Sequence, residues 1–186
     1  MLKEISKKEL KKIVCRNTFF DFKSLKLNYG YCYKIRFDDL EEVVRYSDLK
    51  FGVEKELYKK YSQLIVEVMI KITTLFNGHQ GVVAKYNEKW IVDKEKSEFL
   101  WDSINVQKIS NYFEGGFLIT DKSFIKIFTE EILKYNCFAI FIFDGCVIAP
   151  SDHMDIFVWF SDIKLKNKID IILQNYANNN LILEEL

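Results

Sequence analysis

The sequence predicts an α+β fold, with a mixed, mostly antiparallel sheet that helices cover on both faces. The chain has 186 residues, of which 49% are hydrophobic and 16% aromatic, and this is enough for one domain with a substantial core. Segment 138–143 is apolar at every position, so both sides of this strand need cover. A helix near 53–76 is apolar on most of its sides and therefore belongs inside the protein. We expect a single domain over 1–186, with a possible subdivision into an N-terminal helical and hairpin layer, 1–93, and a core, 94–186.

The N-terminal elements are predicted from a capping box and from a change of hydrophobic period. Ser6 and Glu9 have the spacing at which a serine hydroxyl and a glutamate carboxylate cap the start of a helix. Apolar and polar residues then alternate over 25–37, and this period of two predicts a strand, with a possible hairpin break at 28–30. A further short helix is expected at 40–44.

The middle of the chain predicts one long helix and two less regular elements. Apolar residues repeat every three or four positions along the long helix: Leu57, Tyr61, Leu64, Ile65, Val68, Ile72, Leu75 and Phe76. Segments 80–86 and 90–93 are predicted to form a hairpin, and 97–113 is predicted to be a helix that ends before Gly115.

The C-terminal part carries the clearest pattern, in the order βαβββαβ. Its predicted elements are 117–120, 121–135, 138–143, 146–149, 154–160, 163–177 and 181–183. Asp144 and Gly145 are typical of a tight two-residue turn between strands. Tyr135 is expected on the apolar face of its helix. We expect an antiparallel meander with at least one parallel crossover, the helices 121–135 and 163–177 on one face of the sheet, and the long central helix on the other.

Composition predicts a cytoplasmic protein with reduced thiols. No signal peptide is readable at the charged N-terminus, and the longest apolar runs are far shorter than the ~20 residues of a membrane span. The four cysteines show no CxxC spacing, and a chain of this size does not need a disulfide framework. Lys+Arg and Asp+Glu number 27 each, so the net charge of zero gives no general attraction to nucleic acid or to an anionic membrane. Abundant Lys, Ile and Asn with only three Arg favour an AT-rich bacterial or phage origin.

The sequence offers few residues for catalysis, and we expect no metal and no cofactor. The chain has two histidines, and the nucleophilic pair to consider is Cys146 with His153. The two are a strand length apart at ~3.3 Å per residue, so they are well separated unless the loop folds back. Asp152, His153 and Asp155 could contribute to a zinc site only with a fourth ligand from elsewhere. No glycine-rich phosphate-binding loop is present.

One predicted surface combines acidic and aromatic side chains and is the best candidate for contact with a partner. Alternate residues of strand 154–160 form a mixed acidic and aromatic face, opposite a purely apolar one. Carboxylates steer a partner into register, and rings supply buried area. The candidate partner-binding residues are Asp152, His153, Asp155, Phe157 and Trp159, together with Trp101 and Asp102. The alternative is that Phe157 and Trp159 pack under a second layer.

In size, neutral charge and lack of a catalytic set, the chain resembles small bacterial and phage inhibitor proteins, such as toxin-immunity and counter-defence proteins. The resemblance implies a non-enzymatic module that binds and inhibits another protein with a basic surface. One alternative is a cysteine-dependent enzyme that uses Cys146 and His153. Another is a nucleic-acid binder that uses the Lys-rich N-terminal third, since residues 1–60 carry 15 basic and 10 acidic groups. Nucleic acid is the less favoured partner, and no membrane is expected.

Overall fold

The structure is a computed structural model that describes residues 3–14, 22–38, 46, 55–77, 80–86, 90 and 113–186. These residues form an α+β fold around one eight-stranded antiparallel sheet. The elements are β1 (Lys3–Ile5), α1 (Lys7–Val14), α2 (Phe22–Tyr29), β2 (Tyr31–Phe37), α3 (Lys55–Thr73), β3 (Gly81–Lys85), β4 (Gly116–Ile119), α4 (Ser123–Leu133), β5 (Ala139–Phe143), β6 (Cys146–Ser151), β7 (Asp155–Phe160), α5 (Lys164–Gln174) and β8 (Leu181–Glu185). The α+β class and the βαβββαβ order of the C-terminal part are confirmed.

Two predicted helices lie outside the described residues. These are the helix at 40–44 and all but the last residue of the helix at 97–113. Among the described helices, none has both the length and the apolar composition that crossing a membrane requires.

The strands lie in the order β1-β4-β3-β5-β6-β7-β2-β8, and the neighbouring pairs are antiparallel. The prediction of a mixed sheet is therefore wrong, because every strand pair among the described residues is antiparallel. The expected crossover is present in another form, because β4 and β5 both run antiparallel to β3 and so run parallel to each other with β3 between them. β7 and β8 enclose β2 in the same way. β2 and β3 thus hydrogen-bond in the gaps that the two crossovers leave, whereas β1 pairs with β4 at the edge of the sheet. Strands from 1–93 and from 94–186 share this one sheet, and the number of domains stays a prediction.

The predicted capping box is confirmed at the start of α1. The Ser6 amide donates to Glu9 Oε2 at 2.7 Å, and the Glu9 amide donates to Ser6 Oγ at 3.3 Å. These two bonds satisfy backbone donors that the first turn of a helix otherwise leaves unpaired.

The strand predicted over 25–37 is wrong in its first part, which is the helix α2, and right in its second part, which is β2. Leu25 and Tyr29 are both buried, and residues four apart share one face of a helix as well as one face of a strand. Gly30 has a φ of +83°, and its amide donates to the Lys26 carbonyl at 3.2 Å. This left-handed glycine ends α2 and lets the chain turn into β2.

The hairpin predicted between 80–86 and 90–93 finds no support on the side of β3, and residues 91–93 lie outside the described residues. β3 pairs with β4 on one side and with β5 on the other, so both of its edges are occupied. Trp90 is buried, and its carbonyl accepts a hydrogen bond from the Phe138 amide at 2.9 Å.

Buried side chains form two clusters, one on each face of the sheet. The first cluster joins the sheet to α3, α4 and α5. The second cluster includes Leu10 from α1 and Leu25 from α2. β5 contributes alternate residues to both clusters, with Phe141 in the first and Ile140 in the second, and both side chains are 0% exposed.

α3 lies on the same face of the sheet as α4 and α5, and not on the opposite face as predicted. Six of its residues belong to the first cluster: Tyr61, Ile65, Val66, Val68, Met69 and Ile72. α3 contacts α4, α5 and the sheet residues of this cluster. Because it is surrounded by several elements, apolar residues extend around most of its circumference. The hydrophobic pattern shows that a helix is surrounded, but it does not identify the elements that surround it.

Candidate partner-binding site

The predicted partner-binding residues fall on the turn between β6 and β7 and on β7 itself. Those within the described residues are Asp152, His153, Asp155, Phe157 and Trp159. The structure brings them to one region of the sheet but gives them different environments. The further pair, Trp101 and Asp102, lies outside the described residues.

Trp159 is not a surface residue. Its side chain is 0% exposed and belongs to the second cluster. The rings of Trp159 and Phe157 stack with their centroids 5.9 Å apart, and Phe157 is half-buried at the margin of the cluster. Trp159 therefore packs under a second layer, and the expectation that its ring is offered to a partner is corrected.

Asp155 is buried and forms an ion pair with Lys34. Its Oδ2 lies 2.8 Å from Lys34 Nζ, and the two side chains are 6% and 26% exposed. A buried carboxylate needs such a partner, because losing its hydration is otherwise costly. Lys34 Nζ also lies 5.5 Å from the centroid of the Phe157 ring. Asp155 thus positions Lys34 beside Phe157, and its burial keeps it from direct contact with a partner.

The turn between β6 and β7 presents Asp152 and His153 at the surface. The His153 amide donates to Ser151 Oγ at 3.1 Å, and the Met154 amide donates to the Ser151 carbonyl at 3.2 Å. Met154 has a φ of +59°, and its side chain is only 1% exposed. The side chains of Asp152 and His153 are 21% and 42% exposed, with Oδ1 and Nε2 3.8 Å apart. The buried methionine therefore holds the turn in place, while the two polar side chains point outward.

A pocket of about 180 Å³ opens beside this turn. It lies where β3 and β6 end and β5 begins, and its lining is mostly apolar. Its lining includes four aromatic residues and one acidic residue: Tyr86, Tyr135, Phe138, Phe157 and Asp152. Asp152 and Phe157, which the sequence singled out, thus contribute to one pocket.

Tyr135 is a residue of this pocket that the sequence interpretation placed on the apolar face of a helix. α4 ends two residues earlier, and Tyr135 follows with a φ of +59° and a side chain that is 46% exposed. The amides of Tyr135 and Asn136 donate to the carbonyls of Ile132 and Glu131 at 2.8 and 2.9 Å, which is a helix end closed by a left-handed residue. The Tyr135 ring meets the Phe138 ring edge-on, with centroids 5.3 Å apart. The signal in the sequence was Asn136, because asparagine favours helix ends.

Glu131 is a buried carboxylate of α4, next to Ile132 of the pocket lining. Glu131 is 4% exposed and accepts hydrogen bonds from Lys134 Nζ at 2.8 Å and from Asn136 Nδ2 at 2.7 Å. Burial raises the pKa of Tyr58, and nearby acidic groups, Glu131 and Asp152 among them, add to the increase. Burial and these negative charges both disfavour the ionised form of the Tyr58 hydroxyl.

The structure does not bring Cys146 and His153 together. Cys146 is 0% exposed in the first cluster and begins β6, whereas His153 lies beyond the other end of that strand. β6 has six residues and so spans about 16 Å. Burial also raises the pKa of the Cys146 thiol, which opposes formation of the nucleophilic thiolate. This arrangement gives no support to a cysteine nucleophile activated by His153.

The metal site considered from the sequence also finds no support. Within the described ranges, no three His, Cys, Asp or Glu side chains are placed so that they could hold one metal ion. Of the residues considered, Asp155 is paired with Lys34 and Cys146 is buried at the far end of β6.

The basic N-terminal helix is partly neutralised by acidic neighbours. Lys7 forms an ion pair with Glu114, and the hydrogen bond from Lys7 lowers the pKa of that carboxyl group. Glu9 caps the same helix. In the described part of the N-terminal third, acidic groups thus lie among the lysines of α1 and weaken its attraction to phosphates.

Comparison with known proteins gave no match to a family model, to a curated protein or to a solved structure.

Proposed function

We propose that this protein is a cytoplasmic, non-enzymatic binding module that inhibits another protein, of the toxin-immunity or counter-defence type of bacteria and phages. Its contact surface is the β6–β7 corner, which we define as Tyr135, Phe138, Asp152, His153 and Phe157. The partner presents a basic surface to this corner.

The observation that carries the proposal is a strained and partly exposed aromatic residue at an apolar pocket beside a carboxylate. Tyr135 is 46% exposed at a φ of +59°, a conformation that costs a tyrosine roughly 1–2 kcal/mol. Such strain is concentrated at functional sites, where the surrounding structure maintains it. Exposed tyrosine is also among the residues enriched in protein interfaces.

The size of the pocket supports contact with a side chain of another protein. Its volume is about 180 Å³. Pockets for drug-sized ligands and cofactors measure roughly 300–1,000 Å³. The corner pocket is therefore suited to a group of side-chain size.

The charge at the corner supports a basic partner. Asp152 lines the pocket, and its carboxylate side chain is 21% exposed. Complementary charge accelerates association and fixes the register of an interface, even where each exposed pair adds little affinity.

Site-specific photo-crosslinking in the native host tests this proposal. A benzophenone amino acid replaces Tyr135 in one variant and Ile171 in a control variant, because Ile171 is 61% exposed on α5. We expect a protein to be crosslinked at position 135 and not at position 171. That protein is then identified, purified and titrated against the unmodified chain by calorimetry, and its own activity is measured with and without the chain.

Charge reversal at the corner provides the quantitative step. We expect Asp152→Lys to weaken binding of the purified partner at least about tenfold. The matched control is Asp144→Lys, which reverses an exposed acid at the other end of the β5–β6 hairpin and should leave affinity unchanged. Equal crosslinking at both positions, unchanged affinity in Asp152→Lys, or a partner whose activity the chain leaves intact would contradict the proposal.

A further inference from the structure

We infer that the pocket at the β6–β7 corner receives a single aromatic ring of the partner, and that Asp152 pairs with a lysine or arginine next to that ring. The inference rests on the proposed function and specifies the residue types that the partner contributes.

The volume of the pocket matches one ring. A dry protein cavity of about 150 Å³ is known to hold benzene. The corner pocket, at about 180 Å³, is slightly larger. A fused ring system with its attached backbone would need more space, while an alanine or serine side chain would leave most of the pocket empty.

The lining of the pocket suits a ring as well as its volume does. Four of its lining residues are aromatic, Tyr86, Tyr135, Phe138 and Phe157, and the rings of Tyr135 and Phe138 already meet at an interplanar angle of 88°. Aromatic rings favour such edge-to-face contacts, which add to the gain from burying apolar area. An inserted ring can extend the existing set of contacts.

The walls are held in place without the partner. The Tyr86 amide donates to the Phe138 carbonyl at 3.3 Å, and the Phe138 amide donates to the Trp90 carbonyl at 2.9 Å. Hydrogen bonds from the amides of Tyr135 and Asn136 fix the left-handed end of α4. A preformed pocket loses little conformational entropy on binding, so more of the contact energy contributes to affinity.

The charges around the pocket select the neighbour of the ring. Asp152, 21% exposed, lines the pocket itself, with the imidazole of His153 3.8 Å away. A lysine or arginine beside the inserted ring therefore meets a carboxylate, whereas an aspartate or glutamate there would be repelled.

Titration of the isotope-labelled full chain with three blocked dipeptides tests the inference by nuclear magnetic resonance at neutral pH. The probes are N-acetyl-Phe-Lys-amide, N-acetyl-Phe-Glu-amide and N-acetyl-Ala-Lys-amide. We expect the first to shift the amide signals of Cys137, Ala149 and Phe157. Burial of the ring should make it bind at least about tenfold more tightly than the alanine peptide. Replacing its lysine with glutamate should weaken binding about three- to fivefold.

Two variants separate the ring from the charge. Asp152→Asn should remove the preference for lysine over glutamate and retain binding of the ring, whereas the control Asp144→Asn should behave like the unmodified chain. Tyr135→Asn removes one ring, and asparagine tolerates the left-handed backbone of that position. We expect this variant to keep its melting temperature within about 3 °C and to bind the Phe-Lys peptide about three- to fivefold more weakly.

The possible outcomes distinguish this inference from the proposed function. Equal binding of the Phe and Ala peptides, or shifts confined to other parts of the chain, would overturn the inference, while crosslinking of a partner at position 135 would still support the proposed function. Corner signals that change with protein concentration in the absence of peptide would show that a second copy of the chain is the occupant, and would overturn the inference too. If the dipeptides bind as expected and no partner is crosslinked, the proposed function fails although the pocket accepts a ring.

Discussion

The backbone adopts left-handed conformations at both ends of the β5–β6–β7 meander, but different types of residue adopt them. At the turn end, Gly145 has a φ of +67° and connects β5 to β6. At the corner end, the left-handed conformations belong to Tyr135 and Met154, both with a φ of +59°. Glycine adopts this conformation at no steric cost, whereas a residue with a Cβ atom loses roughly 1–2 kcal/mol. The turn end is thus built from residues that suit its backbone, and the corner end retains strain where the pocket opens.

The two ends of the meander also differ in the burial and charge of their side chains. Phe143, Cys146 and Phe160 flank the turn end and are all buried, with Asp144 exposed in the turn itself. The corner end contains Asp152 and the partly buried Lys34–Asp155 ion pair. We therefore assign stability to the turn end and binding to the corner end, and substitutions can test this assignment.

The largest expected effect is that of Phe141→Ala, in the middle of β5 between the two ends. Phe141 is 0% exposed in the first cluster, and removing such a ring costs about 3–5 kcal/mol of unfolding free energy. Urea unfolding followed by circular dichroism and by tryptophan fluorescence checks the magnitude. We expect the two transitions to coincide, because one core supports both ends. Ile171→Ala, at a side chain that is 61% exposed, is the control and should cost less than about 0.5 kcal/mol. Separate transitions would show that the two ends are independent units.

The second effect is the low reactivity of the thiols at both ends. Burial raises the pKa of Cys146 at the turn end and of Cys137 at the pocket, and it raises the pKa of Cys32 to about 11. A higher pKa means less thiolate at pH 8, and an increase of about two pKa units lowers the thiolate fraction about 100-fold. We expect iodoacetamide to alkylate these three cysteines at least about 100-fold more slowly in the native protein than in urea, as measured by peptide mapping. Selective alkylation of Cys146 at neutral pH would revive the alternative of a cysteine-dependent enzyme.

The turn end of the meander can be predicted from the sequence, because its sequence signals are local. Asp144 and Gly145 indicate a tight turn by composition, and the apolar residues on both sides of β5 require cover on both faces. The insertion of β3 between β4 and β5 was not predictable in this way. Pairing between distant strands depends on which edges are open after the crossovers form, and no local pattern records it. The helix α2 was missed because the spacing of Leu25 and Tyr29 fits both a strand and a helix.

The corner could be predicted only in part. Asp152 and Phe157 were selected as acidic and aromatic neighbours, and both line the pocket. The burial of Trp159 depends on the second cluster, which includes Leu10 and Leu25 from distant helices, so strand alternation alone could not reveal it. The exposure of Tyr135 depends on where α4 ends, and helix ends are the least reliable feature of a periodic pattern.

The third effect concerns the Lys34–Asp155 ion pair at the corner end. We expect Lys34→Met to cost about 1–3 kcal/mol, because it leaves a buried carboxylate without its cation while Lys34 itself is 26% exposed and partly screened by solvent. The double variant Lys34→Met with Asp155→Leu should recover much of this loss, since a buried ion pair and an apolar pair of similar size are close in stability. A double-mutant cycle from urea unfolding measures the coupling. Additive losses would mean that the pair does not organise the corner.

The smallest expected effect compares a left-handed residue from each end. Gly145→Ala should cost about 1–2 kcal/mol, because alanine is strained at a φ of +67° and its Cβ atom would lie 3.2 Å from Ser161 Oγ. Tyr135→Asn should change the unfolding free energy by less than about 1 kcal/mol, because relief of strain and loss of the edge-on contact with Phe138 offset each other. Thermal unfolding of both variants measures the difference.

Binding of the dipeptides distinguishes the two ends more sharply than stability does. Gly145→Ala should leave the affinity for N-acetyl-Phe-Lys-amide unchanged although it destabilises the chain, and Tyr135→Asn should reduce that affinity at nearly constant stability. If Tyr135→Asn instead destabilised the chain as much as Gly145→Ala does, the left-handed tyrosine would be a part of the scaffold, and the division of the meander into a stabilising end and a binding end would be lost.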